Sequence, residues 1–262
     1  MELSSRSERL MGTTITVSIF HTLADEILAQ CFEILRSYEH RFSANDASSE
    51  LMEVNRQAGI APVRVHPDLF ELIALGTLHS QAQNSHLNIA IGPLVQTWRI
   101  GFSDARHPRQ EEIDQALTKI DPQQIQLDPE NHTVFLKRSG MKIDLGALAK
   151  GYSADLIGAF LKDQGITDAL IDLGGNILTV GQHPIKQQPW RIGIQNPVEK
   201  RGQHLLVLSV KNKSIVTSGI YERHLEVDGQ SFHHIFDSAT GYPVETDLAS
   251  ITIISDRSVD GE

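Results

Sequence analysis

Apolar and polar residues alternate along residues 10–20, LMGTTITVSIF, with the period of two that a half-buried strand requires, and Met11 and Gly12 open it. The period then changes. Leu23, Ile27, Leu28, Cys31, Ile34 and Leu35 recur at three- and four-residue spacings, which predicts an amphipathic helix over residues 23–40. FSANDASSELMEVNRQAG follows and reads as a polar loop. From Pro67, at a plausible first helical position, DLFELIALGTLHSQAQ resumes the helical spacing. In LNIAIGPLVQTWRIGF the residues Gly92, Pro93 and Gly101 interrupt an apolar run, so an ordered connection is expected there. Residues 102–133 are polar, with a short helix predicted over EEIDQALTKI, and are expected to form a peripheral insertion.

Strand patterns dominate the rest: TVFLKR, MKIDL, DALIDLGG, NILTVG, WRIGIQ, LLVLSV, SIVTS, HLEVDG, FHHIF and ASITIIS. Only GALAKGYSADLIGAFLKDQG interrupts them as a helix. Helices early and neighbouring strands late predict an α+β fold with largely antiparallel sheet, because βαβ units would space their helices regularly.

Composition narrows the function classes. A formal net charge of -10 disfavours a sequence-independent grip on phosphate backbones, so no nucleic-acid partner is expected. No run of 18 apolar residues predicts a membrane span. The N-terminus lacks the apolar core of a secretion signal, so the chain as written is expected in the cytoplasm, or in the cell envelope as a lipoprotein if a signal was removed. Cys31 is the single cysteine, and it falls on the apolar stripe of a helix, which points to a core thiol.

Three stretches could carry chemistry. In IDLGALAKGYSADLIGAF, Asp144 precedes a tight turn at Gly146, and Lys150 lies where a helix begins. A helix start directs unpaired N–H groups and partial positive charge at one spot, which favours anionic oxygens. Asp144 could instead serve simply as a helix cap. DALIDLGGNILTVG has the composition of a hairpin turn and lacks the dinucleotide fingerprint, since its glycines lead into a strand. TSGIYERHLEVDGQSFHHIFDSATGYP concentrates Ser218, Glu222, Arg223, His233, His234, Asp237 and Thr240 between strand patterns. Alternation puts His234 and Phe236 on one strand face and His233 and Ile235 on the other.

Taken in order, MGT, FSANDASSELMEVN, IGPLVQTW, IDLGALAKGYSAD, ALIDLGGNI, WRIGIQNP, TSGIYERHLEVDG and HHIFDSATGYP resemble the ApbE family of FAD:protein FMN transferases, from Met11 to the last residue. The resemblance implies a two-part, T-fold-like α+β architecture with a flavin cleft between the parts. It implies a single catalytic unit over 1–262, with truncation at the C-terminus expected. The implied reaction is Mg2+-dependent transfer of the FMN half of FAD to a Thr or Ser hydroxyl of an acceptor flavoprotein, with release of AMP. A FAD-binding storage module and a FAD pyrophosphatase are the alternatives.

Residue by residue, the resemblance implies that Asp144 and Lys150 hold polar parts of FAD and that Met11 contacts the flavin. Asn88, Ile89, Ala90 and Phe236 would line the dinucleotide site, and Ser218 and Glu222 would shape it. His234 and Asp237 would activate the incoming hydroxyl or orient phosphate. The backbone carbonyl of Ala147 would bind Mg2+, and the family's acidic metal ligand falls on Glu262, with Asp260 close by. This chain has Asn45 and Asp46 where relatives often carry an aromatic residue. It has Leu87 to Gly92, LNIAIG, where FDxTVGP is common.

Overall fold

The computed structural model describes residues 3–200, 202–227 and 229–262. In chain order the strands and helices are β1 (Ser4–Leu10), β2 (Thr13–Ile19), α1 (Ala24–Phe42), α2 (Glu50–Arg56), β3 (Val63–Arg64), α3 (Pro67–Ser80), α4 (Gly92–Trp98) and α5 (Gln110–Leu117). Then come β4 (Ile125–Asp128), β5 (Thr133–Leu136), α6 (Ala149–Asp163), β6 (Ala169–Leu173), β7 (Asn176–Val180), β8 (Trp190–Gln195) and β9 (His204–Val210). β10 (Ser214–Gly219), β11 (His224–Val227), β12 (Gln230–His233), β13 (Ser250–Ser255) and a 3-10 turn over Ser258–Gly261 complete the chain. The chain divides into two compact units, one built from 1–39, 147–219 and 248–262, the other from 40–146 and 220–247.

The first unit is organised by a six-stranded antiparallel sheet in the order β1-β2-β6-β7-β10-β13. β1 and β2 join through Met11 (φ 51) and Gly12 (φ 74), two successive left-handed residues that match the twist of a tight hairpin. Side chains alternate across the sheet. Ile15, Val17, Ile171, Leu173 and Leu178 meet Ile27, Leu28, Cys31, Phe32 and Leu35 of α1 and Ala154, Ile157 and Leu161 of α6 in one buried core. The intervening Leu170 and Ile177 contribute to a second core with Phe20, Trp190, Ile192, Val210 and Ile215, which seats the β8–β9 hairpin. Burial of each such side chain stabilises by about 1.5–3 kcal/mol, so the two cores fix which faces of β2, β6 and β7 look inward.

The second unit holds a three-stranded sheet in the order β3-β5-β4 and the β11–β12 hairpin. Trp98 at the end of α4 is fully buried with Leu94, Ile100, Ile113 and Ala116, and its indole N–H donates to Gly241 O at 3.0 Å. Phe232, Phe236 and Tyr242 pack their rings on it at centroid distances of 5.2, 5.9 and 5.5 Å.

The structure departs from the sequence pattern in several places. The polar loop after α1 contains α2, which starts because Ser49 Oγ accepts from Met52 N at 3.0 Å. The apolar connection at 87–102 contains α4, with Pro93 in its first turn and Arg99 at φ 57 ending it. MKIDL forms no strand. Asn55 occupies the ladder position instead, donating to Ile143 O at 3.0 Å and accepting from Ile143 N at 2.7 Å, and only Lys142 makes an isolated bridge, to Ile91. The stretch expected at the periphery supplies Ile113 and Ala116 of α5 to the core around Trp98. Asp228, inside the HLEVDG pattern, lies outside the described residues.

Candidate active site

In the first unit the predicted residues gather at the start of α6. No side chain caps this helix, and its first-turn amide at Gly151 donates to Glu262 Oε1 at 2.7 Å. Lys150 Nζ stands 3.9 Å from the same oxygen, and Asn176 Nδ2 donates to it at 2.7 Å from the first position of β7. The Glu262 side chain is 6% exposed, while Lys150 keeps 29% of its side-chain surface in solvent. Burial pushes the Glu262 carboxyl above its ordinary range, Lys150, the Gly151 amide and Asn176 pull it back, and Asp155 adds to the rise. Glu262 Oε2 has no hydrogen bond among the described residues. Ala147 lies in the exposed turn ahead of α6.

Glu262 reaches this position because the 3-10 turn before it is pinned to α6. Asp155 accepts from Ser258 N at 2.6 Å and from Val259 N at 3.0 Å. Ser258 Oγ donates to Asn176 Oδ1 and lies 3.0 Å from Ser214 Oγ. Gly151 makes the close approach possible, since a Cβ there would sit 2.8 Å from Glu262 Cγ, Ser258 O and Val259 Cα.

Two other predicted residues belong to this unit. Met11 occupies the β1–β2 turn, half-buried, with its N–H donating to Glu39 Oε1 at 2.7 Å. Ser218 is exposed on β10, paired in register with Ile251 of β13.

In the second unit Asp144 accepts from Gly146 N at 2.8 Å and donates its own N–H to Ile89 O at 2.9 Å. Asp144 thus caps the turn at Gly146. Burial raises its carboxyl, and the Gly146 amide and the Arg223 charge oppose that rise. Arg223 also accepts, through its carbonyl, a hydrogen bond from His234 Nδ1 at 3.2 Å. A carbonyl only accepts, so Nδ1 carries a proton. His233 is tied down differently: Nε2 donates to Val244 O at 2.9 Å while Nδ1 accepts from Ile235 N at 3.2 Å. Because β12 ends at His233, strand alternation does not extend to His234 and Phe236.

The remaining predicted residues have largely local roles. Asp237 Oδ1 accepts from Ala239 N at 2.8 Å, the side-chain turn that closes DSATGYP. Asn88 spends its amide on Ile120 O, Ser238 Oγ and Ala90 N. Ile89 and Ala90 are buried, so their side chains line the protein core. Phe236 packs on Trp98, and Glu222 is exposed in the turn before Arg223. Asn176, Asp155 and Ser258 were not singled out from the sequence as binding or catalytic residues, and Arg223 was named only as one member of a polar cluster. The signal available for Asn176 was the Asn after two glycines, which turn chemistry explained equally well.

An α+β protein whose first unit sets an ammonium, a helix-start amide and a buried carboxylate together has the donor set that suits anionic oxygens. Residues 11–262 match the model of the ApbE family, and the chain belongs to that family. It is 40% identical over 259 residues to a FAD:protein FMN transferase of Klebsiella pneumoniae, covering 98% of this chain and 79% of that protein. It is 37% identical over 274 residues to a FAD:protein FMN transferase of Treponema pallidum, covering 98% and 76%. The crystal structure of an ApbE protein from Thermotoga maritima superposes with a TM-score of 0.90 at 26% identity, over 99% of this chain and 84% of that one.

Proposed function

We propose that this protein transfers the FMN moiety of FAD to a Thr or Ser hydroxyl of an acceptor flavoprotein, releases AMP, and uses Mg2+ to do so. The observation that carries this reading is the grouping of Lys150, the Gly151 amide and Asn176 around the Glu262 carboxylate at the start of α6. In the transfer, the acceptor oxygen forms a bond to the phosphorus on the flavin side of the diphosphate, the bridging P–O bond breaks, and AMP leaves with its electron pair. The hydroxyl proton needs a base, and that role falls to His234, whose Nδ1 donates to the Arg223 carbonyl. Lys150 and the amides at the helix start favour the negative oxygens of the diphosphate.

The residues present fit a hard divalent cation. Such an ion takes oxygen ligands, and Glu262 offers Oε2, which has no hydrogen bond among the described residues, with the Ala147 carbonyl in the exposed turn beside α6. When bound, Mg2+ would neutralise diphosphate charge that builds up as the bridge breaks.

The test is incubation with FAD, MgCl2 and a threonine-bearing acceptor, followed by mass measurement of protein and nucleotide products. The expected result is AMP together with an acceptor heavier by one FMN. AMP and free FMN without labelled acceptor would identify a pyrophosphatase, and bound FAD without AMP would identify a storage module; either would overturn the proposal.

A further inference from the structure

We propose that Asp155, Ser258 and Asn176 are positioning residues that aim Glu262 at a divalent cation, an inference that rests on the metal role assigned to Glu262 above. Three observations carry it. Asp155 on the second turn of α6 receives both free amides at the start of the 3-10 turn, Ser258 N at 2.6 Å and Val259 N at 3.0 Å, so one carboxylate fixes the position and direction of the segment that ends in Glu262. Asn176 is 3% exposed and its amide is oriented: the Ser258 hydroxyl donates to its Oδ1, which leaves Nδ2 to donate to Glu262 Oε1. Ser214, fully buried, donates to Ser258 Oγ at 3.0 Å and so completes the chain.

The consequence is a sorting of the two Glu262 oxygens. Oε1 is saturated by the Gly151 and Asn176 donors, so the carboxylate cannot rotate without breaking both bonds, and Oε2 is the oxygen left without a hydrogen bond among the described residues. Outer residues of this kind set ligand orientation, and their loss typically lowers metal affinity by about 10–100-fold. A salt bridge or a helix cap alone would leave the cation untouched.

The experiment uses the 262-residue chain and its Glu262→Gln, Asp155→Asn and Ser258→Ala variants. Mn2+ affinity is measured by electron paramagnetic resonance without FAD, FAD affinity by flavin fluorescence without metal, and folding by circular dichroism. Asp155→Asn and Ser258→Ala are expected to weaken Mn2+ binding at least about tenfold while changing FAD affinity less than about twofold. Ser258→Ala keeps the backbone N–H that Asp155 binds, so it carries the test even if Asp155→Asn fails to fold. Unchanged Mn2+ affinity in folded variants, with Glu262→Gln impaired, overturns the positioning roles alone. Mn2+ binding that is absent from the wild type, or unaffected by Glu262→Gln, overturns the metal role of Glu262 and the positioning roles with it.

Discussion

Replacing Gly151 by alanine tests the arrangement at the start of α6 most sharply, because helix propensity and local packing predict opposite signs. Inside a helix, alanine is favoured over glycine by about 1 kcal/mol, so an unencumbered site would be stabilised. At Gly151 the new Cβ would lie 2.8 Å from Ser258 O, Val259 Cα and Glu262 Cγ. Two of those atoms are backbone, so relief requires moving the 3-10 turn rather than rotating a side chain. Overpacking of this kind costs about 1–3 kcal/mol. Moving the turn also stretches the 2.7 Å bond from Gly151 N to the buried Glu262 carboxylate, a charge-assisted bond that contributes about 1.5–3 kcal/mol. The net effect is destabilisation by about 2–4 kcal/mol, or several degrees in melting temperature for a chain of this size. Gly158→Ala, about two turns further along the helix, is the control. There the Cβ meets Leu178 Cδ2 at 2.9 Å, the far end of a side chain that can shift, and Ile171 Cδ1 at an ordinary 3.9 Å. Thermal melts of both variants should separate them clearly, with Gly158→Ala within about 1 kcal/mol of the wild type. A Gly151→Ala protein that melts at or above the wild type would refute the claim that the turn is seated rigidly on α6.

Three further outcomes follow from the same geometry. His234→Ala should lower FMN transfer by about a hundredfold or more while FAD affinity is retained, and unchanged single-turnover transfer would remove His234 from proton transfer. Asp144→Asn keeps the acceptor for Gly146 N and removes a carboxyl that burial raises. A raised folded-state value means that its stabilising contribution is present below the ordinary Asp range and lost as pH rises through the raised value, so the variant should melt higher than the wild type at pH 7 and equally at strongly acid pH; a lower melting point at pH 7 would contradict this. Cys31, fully buried and pushed up to about 12 by burial, should resist a thiol-directed disulfide reagent at pH 8 until guanidinium unfolds the chain, and rapid labelling of the native protein would show the α1 core to be open.

Periodicity made the first unit's secondary structure readable because its elements bury one face each. The stripe Ile27, Leu28, Cys31, Leu35 packs where a helix over 23–40 requires, and the alternation in DALIDLGG and NILTVG matches β6 and β7 on either side of the Gly174–Gly175 turn. Where the pattern failed, a side chain had taken over work usually done by backbone. Ser49 starts α2 inside a polar stretch, and Asn55 satisfies Ile143 and removes MKIDL from the sheets. β1 was invisible for a different reason: SSRSERL is polar almost throughout, and as an edge strand it needs only one neighbour, which it gains through the Met11–Gly12 turn.

The candidate site was legible as residue types and illegible as partners. Lys150 stood out as a lone charge at a helix start, yet what it faces lies 112 residues away along the chain, at Glu262. Gly151 and Asn176 meet the same carboxylate across 111 and 86 residues, and Asp155 reaches Ser258 across 103. Spacing arguments work within one helix, strand or turn, where geometry ties sequence separation to distance. Across such separations only the fold sets the distance, and here the fold does so through two glycines. Gly151 admits the turn against α6, and Gly261, whose Cβ would lie 2.8 Å from Val216 Cγ2, admits it against β10. Their requirement is steric and concerns atoms that arrive from elsewhere in the chain, so a larger residue at either position would leave every local pattern intact and still displace Glu262.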